Sequence, residues 1–398
     1  MQQSTGPLSG FRIVDLSTVL SGPVATAILA DQGADVVKVE APGAGDLTRH
    51  VGARRGGTTA MFHLANRGKR AITIDLSREQ GRAVLHRLVA SADVVVQNFR
   101  PGVVERLGIA YDDLRVVNPE LVYLSISGFG FEGPFARTKV YDNLIQAASG
   151  FADVQGDGSA PVFVHNLVCD KITAWVSAQA ITAALLARAR GAGGQQLSLS
   201  MLDAAVAFLW VDAGASHTFI GEGVEAARPG GGAVPTRHAD GWSTSAAVTD
   251  EEFAAQCAAF GHPEVAADPR FATMAGRLTD PDYRRVYREV VLTGAAELTV
   301  AEALHRLTDA GVPAAAVVPL SQVPDHPQIV VNGTFVETDD PSIGRRREPR
   351  PPVVFSTTPA RPGRVAPRRG EHTVELLAEL GFTDDDIATL LADGVVAG

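Results

Sequence analysis

The first 130 residues alternate between two hydrophobic periods, and few folds accommodate that alternation. "FRIVDLS", starting at Phe11, is an apolar run of strand length. "SGPVATAILADQ" after it has helical spacing, with Ser21 as the expected N-cap and Pro23 in the first turn, where a missing N–H costs nothing. "GADVVKVEAP" reads as a second strand ended by proline, and "KRAITIDLS" as a third. "EQGRAVLHRLVASA" is then a helix, "DVVVQNF" a fourth strand and "ELVYLSISGFG" a fifth. Strands separated by helices at these lengths make βαβ units. The expected class is α/β, with a large Rossmann-like domain on a mostly parallel sheet. Ligands of such sheets bind beyond the carboxyl ends of the strands.

Two long helical patterns follow, over 170–190 and 198–221, the first ending at Gly191. "ARPGGGAVPTRHADGW" is the densest cluster of chain breakers and marks a boundary. The expected division is a large domain over 1–225, a smaller α+β domain over 226–325 and a return segment over 326–398. The small domain should hold a strand near "GWSTSAAV", helices at 250–260 and 281–310, and a strand "AAAVVPL". In the return segment, which should pack on the large domain, "SIGRRREPRPPVVFS" reads as extended chain with Arg345–Arg347 as a solvated loop. "HTVELLAELGFTDDDIATLLADG" gives two short helices, the second capped by Thr383.

Composition excludes several functions. A chain of 398 residues, 45% hydrophobic and 20% charged, has material for a large core. Its formal net charge of -10 argues against nucleic acid as a partner. The two cysteines, Cys169 and Cys257, fit no disulfide or metal spacing, which points to a reducing, cytoplasmic setting. The histidines form no H-x-x-x-H cluster, so no metal is expected. The opening residues lack signal-peptide character, and no run of about 18 apolar residues predicts a membrane span.

Two enzyme motifs are approached and missed. Glu40 closes the second strand where a ribose-binding acid would stand, yet "LSGPVA" is no G-x-G-x-x-G, so no nucleotide redox cofactor is expected. "SISGFG" is likewise no G-x-S-x-G nucleophile elbow. The basic residues say more. Only four of the 35 are lysine: Lys38, Lys69, Lys139 and Lys171. Three of these lysines, with Arg67, Arg70, Arg100, Arg106 and Arg137, fall close after predicted strands or in the loops between them. They are either solvated loop charges or a patch that holds phosphates. "HNLVCDKITAW" offers a similar choice, because Asp170 opens an apolar helix. It either caps that helix or is a carboxylate held there for chemistry, its anion favoured by the helix N-terminus.

"GFRIVDLSTVLSGPVATAILADQGADVVKVEAPGAGDLTR", "NRGKRAITIDLS", "NFRPG", "LSISGFGFEGPFA", "YDNLIQAASG" and "GEHTVELLAELGF" together resemble the family III CoA-transferases. That group includes formyl-CoA transferase, carnitine CoA-transferases and α-methylacyl-CoA racemases. The similarity runs in order over nearly the whole chain. It implies an interlocked homodimer of α/β chains, with an acyl-CoA donor and a carboxylic acid acceptor as substrates and no metal. The CoA contacts it implies fall on Leu20 and Ser21; on Ile74, Asp75, Leu76 and Ser77; on Asn98, Phe99, Arg100 and Arg106; and on Lys139 and Val140. Lys38 joins them from the basic-patch reading. The implied nucleophile is Asp170, with Tyr141 and Asp142 orienting it, and the implied mobile glycine loop is Gly230, Gly231 and Gly232. The chain departs from the family pattern at Ala41, where transferases carry arginine, and at Asp142, where they carry glutamate.

The resemblance leaves two chemistries. A transferase uses Asp170 as a nucleophile that conserves the thioester through covalent intermediates. A 2-methylacyl-CoA racemase needs a second acid/base group, which the family supplies as histidine in a Gly-His-Asp stretch. Here that stretch reads Val140-Tyr141-Asp142, and tyrosine, with a pKa near ~10, is a poor base at neutral pH. His63 and His165 have no spacing that recommends them. Transferase is therefore the expected activity; a CoA-binding paralogue without chemistry is the third reading.

Overall fold

The computed structural model describes residues 6–156, 159–224 and 235–398. It divides into one unit of Met1–Asp212 with Gly333–Gly398, and a second of Ala213–Asn332.

The first unit is built on the expected alternation: β1 (Arg12–Asp15), α1 (Ser21–Asp31), β2 (Asp35–Glu40), α2 (Ala60–Asn66), β3 (Arg70–Ile74), α3 (Glu79–Ala90), β4 (Val94–Gln97) and β5 (Val122–Ser127). Next come α4 (Asp142–Ser149), α5 (Val168–Ala187), β6 (Gln195–Ser200) and α6 (Met201–Trp210). The strand β6 is a correction to the second long helix. "QQLSLS" alternates half-buried and exposed positions beside β5, and the helix starts only where Ser200 accepts the Asp203 N–H. The preceding helix does stop near Gly191, which takes a φ of 92°.

With the C-terminal strand Val396–Ala397, these strands form a seven-stranded sheet. Its order is C-terminal strand, β3, β2, β1, β4, β5, β6. Every pairing is parallel except the last strand's against β3. Successive residues go to opposite faces: Val14, Val37 and Val95 enter one apolar cluster, Ile13, Val36 and Val94 another. Burial on both faces explains the uninterrupted apolar strands. α5 is long and apolar enough to cross a bilayer by composition, but Ile172, Ala178, Ile181 and Leu185 pack into the second cluster.

The return segment is stitched to this unit by charge. Arg67 bonds Asp31 at 2.7 Å and Glu348 at 3.2 Å, and His63 meets Glu348 at 2.8 Å. Glu348 lies on a strand, Arg346–Pro349, paired with Phe335–Thr338. The triple arginine is solvated but only partly loop: Arg345 and Arg347 stay exposed while paired with Glu337, and Arg346, on the strand, bonds Glu348 at 3.1 Å. Thr383 caps the last helix, Asp384–Ala392, in a reciprocal capping box with Asp386.

The second unit is α+β. A three-stranded antiparallel sheet joins Thr236–Arg237, Trp242–Ser245 and Ala314–Ala316. Helices Asp250–Ala259 and Val300–Asp309 both open with Thr/Glu capping boxes. Phe253, Phe260, Phe271 and Leu307 make its core.

Candidate active site

Chain order turns back between β1 and β4, and a parallel sheet opens a crevice at such a point. A cavity of about 170 Å³ lies there. Its lining comes from Thr18, Val19 and Ser21 after β1, Asn98, Phe99 and Arg100 after β4, and Ser127 and Gly128 at the end of β5. Val140, Tyr141, Asp170 and Met201 line it as well. A Cβ on Gly128 would stand 2.4 Å from Val140, so only glycine lets these two segments close together.

Asp170 is the third residue of α5, but it does not cap that helix. Its backbone N–H donates to Asp142 Oδ1 at 2.9 Å. The backbone N–H of Ser21, the first residue of α1, lies beside the Asp170 carboxylate and favours the anion. Each of the two acids therefore serves the N-terminus of a neighbouring helix. The same contact corrects the expectation for Ser21: the N-cap position is Leu20, no side chain caps α1, and Asp170 meets one of its free N–H groups. The Asp170 side chain faces the cavity.

Burial first, and then the Asp142 charge, push the Asp170 carboxyl up to about 7, against the pull of the Ser21 N–H. Asp142 itself is buried and firmly held. Gln146 donates to its Oδ2 at 2.6 Å, and the same amide ties down Val164 and Asn166 just before α5. Though a methylene shorter than glutamate, Asp142 reaches the helix it serves.

The remaining predicted residues divide sharply. Arg100 lines the cavity, Arg106 lies on the short helix Val103–Leu107, and Lys139 stands 5.3 Å over the Tyr141 ring. None of these three cations has an ion pair among the described residues. Lys38 is a correction. It is fully buried between β1 and β3, bonded to Ser17 O at 2.5 Å and Asp46 at 3.0 Å, and can touch no ligand. Lys69, Arg67 and Arg70 are also buried, each paired with acids. Of these only Lys38 and Arg70 sit on strands, β2 and β3; Arg67 and Lys69 lie in the turn before β3, drawn inward by Asp31 and Asp15.

Asn98 spends its amide on the Thr18 backbone, accepting at 2.9 Å and donating at 2.8 Å. Ile74 is in the core, Leu76 packs against it, and the Ser77 hydroxyl donates to Asp75 at 2.6 Å. Leu20 is buried beside the cavity without lining it. Gly230, Gly231 and Gly232 lie outside the described residues. Sequence reasoning missed Val19, Asp15 and Asp46. Among described residues no histidine lines the cavity: His63 is engaged by Glu348 and the Ala366 N–H, and His165 is exposed elsewhere.

A doubly wound α/β unit with a poorly solvated carboxylate at its strand ends, flanked by unpaired cations, defines an enzyme class that handles an anionic ligand across the sheet edge. Comparison with known proteins names it: the chain belongs to CoA-transferase family III, matched over residues 8–373. It is 35% identical to a succinate–glutarate CoA-transferase of Agrobacterium fabrum, over 94% of this chain and 96% of that protein. It is 31% identical to a formyl-CoA:oxalate CoA-transferase of Escherichia coli O139:H28, over 96% and 98%. The crystal structure of a CAIB/BAIF family protein from Brucella suis superposes with a TM-score of 0.82 at 33% identity, covering 95% of this chain and all of that one.

Proposed function

We propose that this enzyme exchanges CoA between an acyl thioester and a carboxylic acid, with Asp170 as the nucleophile. The observation that carries the reading is the Asp170 carboxylate in the cavity, its own helix N-terminus served by Asp142 instead. The Asp170 oxygen attacks the thioester carbonyl and the C–S bond breaks, giving a mixed anhydride and CoA thiolate. The thiolate then attacks the Asp170 carbonyl, releasing the donor acid and leaving an aspartyl-CoA thioester. The acceptor carboxylate repeats both steps in reverse, so no free energy of activation from ATP is required. Burial serves this chemistry, because an anion held without water is a more basic nucleophile than an exposed aspartate.

The missing second base weighs against racemisation, since no histidine lines the cavity among the described residues. The names of the two relatives carry dicarboxylates, and we extend that class to the acceptor here. The homodimer of interlocked chains belongs to the same proposal; sedimentation should give twice the chain mass, and a monomer would contradict it.

Mass spectrometry tests the chemistry. One acyl-CoA incubated with succinate, glutarate, oxalate and monocarboxylic acids should yield new acyl-CoA esters, with a CoA adduct on the Asp170 peptide. Loss of α-deuterium from a 2-methylacyl-CoA, with no acceptor present, would favour the racemase instead. Arg100 is assigned to the phosphates. Arg100→Met should raise KM for acyl-CoA roughly tenfold with little change in kcat, the effect shrinking as salt is added.

A further inference from the structure

We propose that the buried Lys38–Asp46 ion pair is a positioning device for transfer, holding Val19 in a left-handed conformation so that α1 presents its Ser21 N–H to Asp170. The inference rests on Asp170 being the nucleophile. Val19 has a φ of 69°, the one positive value for a non-glycine among the described residues. A β-branched side chain adopts that region only under constraint, and such residues gather at functional sites. Val19 lines the same cavity as Asp170.

The constraint is visible atom by atom. The Val19 N–H donates to both Asp46 oxygens, at 3.3 and 3.2 Å. Thr18 is clamped by Asn98, and Ser17 O accepts from Lys38. Lys38 in turn pairs with Asp46, whose Oδ1 also accepts the N–H and hydroxyl of Thr48 at 2.9 and 2.7 Å. Asp15 and Lys69 complete the cluster at 2.9 Å, and all four charged side chains are fully buried. Three consecutive residues are thus pinned by side chains from around three strand ends, and two residues later the chain delivers Ser21 to Asp170. Gly22 allows the close approach, since a Cβ there would stand 2.2 Å from Ser17 Oγ. A buried ion pair adds little net stability over apolar packing; what this one supplies is a fixed direction for the backbone.

The test reads the titration of Asp170, whose charged and titratable neighbours are Asp142 and Tyr141 at the start of α4, Cys169 on α5 and Arg100 across the cavity. Losing the Ser21 N–H should lift the Asp170 carboxyl, moving the acid limb of kcat/KM from about 7 to higher pH. Asp46→Asn, nearly isosteric, should produce that shift and lower kcat roughly tenfold with KM within about twofold. In a Val19→Gly background the same substitution should cost less than about threefold, because glycine takes a positive φ unaided. If Asp46→Asn does not fold, Thr48→Val removes one bond to Asp46 and should give a smaller shift in the same direction. An unmoved limb in whichever variant folds, or an equal loss in both backgrounds, overturns the proposal. Asp170→Ala is run alongside: retained turnover there refutes the nucleophile, whereas lost turnover with an unmoved limb in the Asp46 variant refutes the positioning alone.

Discussion

Asp170→Asn should abolish CoA exchange, by roughly 10⁴-fold or more in kcat, and should also make the protein more stable. The two effects have one cause. The folded protein raises the Asp170 carboxyl from 3.8 to about 7, chiefly by burial. The sign follows from linkage: the folded state binds a proton here that the unfolded chain releases between these values. The proton-linked stability is therefore present below about 4 and is lost as pH rises through about 7. Above that, the native state holds an anion it solvates poorly, at a cost on the order of a few kcal/mol. Asparagine removes the charge and can still accept the Ser21 N–H. Thermal melts should show a variant more stable by several degrees at pH 8, with little difference at pH 4. CoA binding, measured by calorimetry, should be largely retained. A variant that still turns over would sink the assignment; one that lost stability at pH 8 would show that the charge is not buried at the protein's expense.

Asp142 should matter less, and its two substitutions should separate charge from architecture. Asp142→Asn takes away the negative charge that, after burial, holds the Asp170 carboxyl up. The acid limb of kcat/KM should then move to lower pH, opposite in direction to the Asp46 variant. Asp142→Ala strands the buried Asp170 N–H, while the Gln146 amide keeps the Val164 and Asn166 carbonyls. That should cost roughly 1–3 kcal/mol of stability. Because Gln146, which loses its Asp142 partner, also fixes Val164 and Asn166 ahead of α5, Asp170 should shift in the cavity and kcat fall about 10²-fold. Denaturant melts and pH–rate profiles on both variants check this. If the limb stays put in Asp142→Asn, the Asp142 charge is not felt at Asp170.

Much of the framework was legible because local patterns and tertiary demands agree. The strands around Val14, Val37, Ile72 and Val95 are apolar on both sides, as a doubly covered sheet requires, and their alternation with helices implies the parallel order. Thr383 announced its helix because a capping box is local chemistry. Strand β6 was missed although Leu197 and Leu199 alternate as a strand does, because it runs straight into the apolar helix α6; pairing with β5 decides it. Lys38 was assigned outward, although "VVKVE" carries the sign of a buried charge: a lysine inside an apolar strand needs an acid partner.

The residue types of the site, their order along the chain and the family they belong to are properties of the sequence. It supplied Asp170, Asp142 and Arg100, and it placed them after strands or at helix starts. The tertiary structure decided what each group does. Asp170 could have capped α5 in any isolated segment; it faces the cavity because Asp142, 28 residues away, takes that place. Ser21 is the first residue of α1 rather than its cap, and its N–H favours the Asp170 anion on another helix. Lys38 turns from ligand to scaffold because Asp46 and the Ser17 carbonyl close over it. Each outcome depends on a hydrogen-bond partner distant in sequence, and a buried polar group has no stable place until that partner arrives.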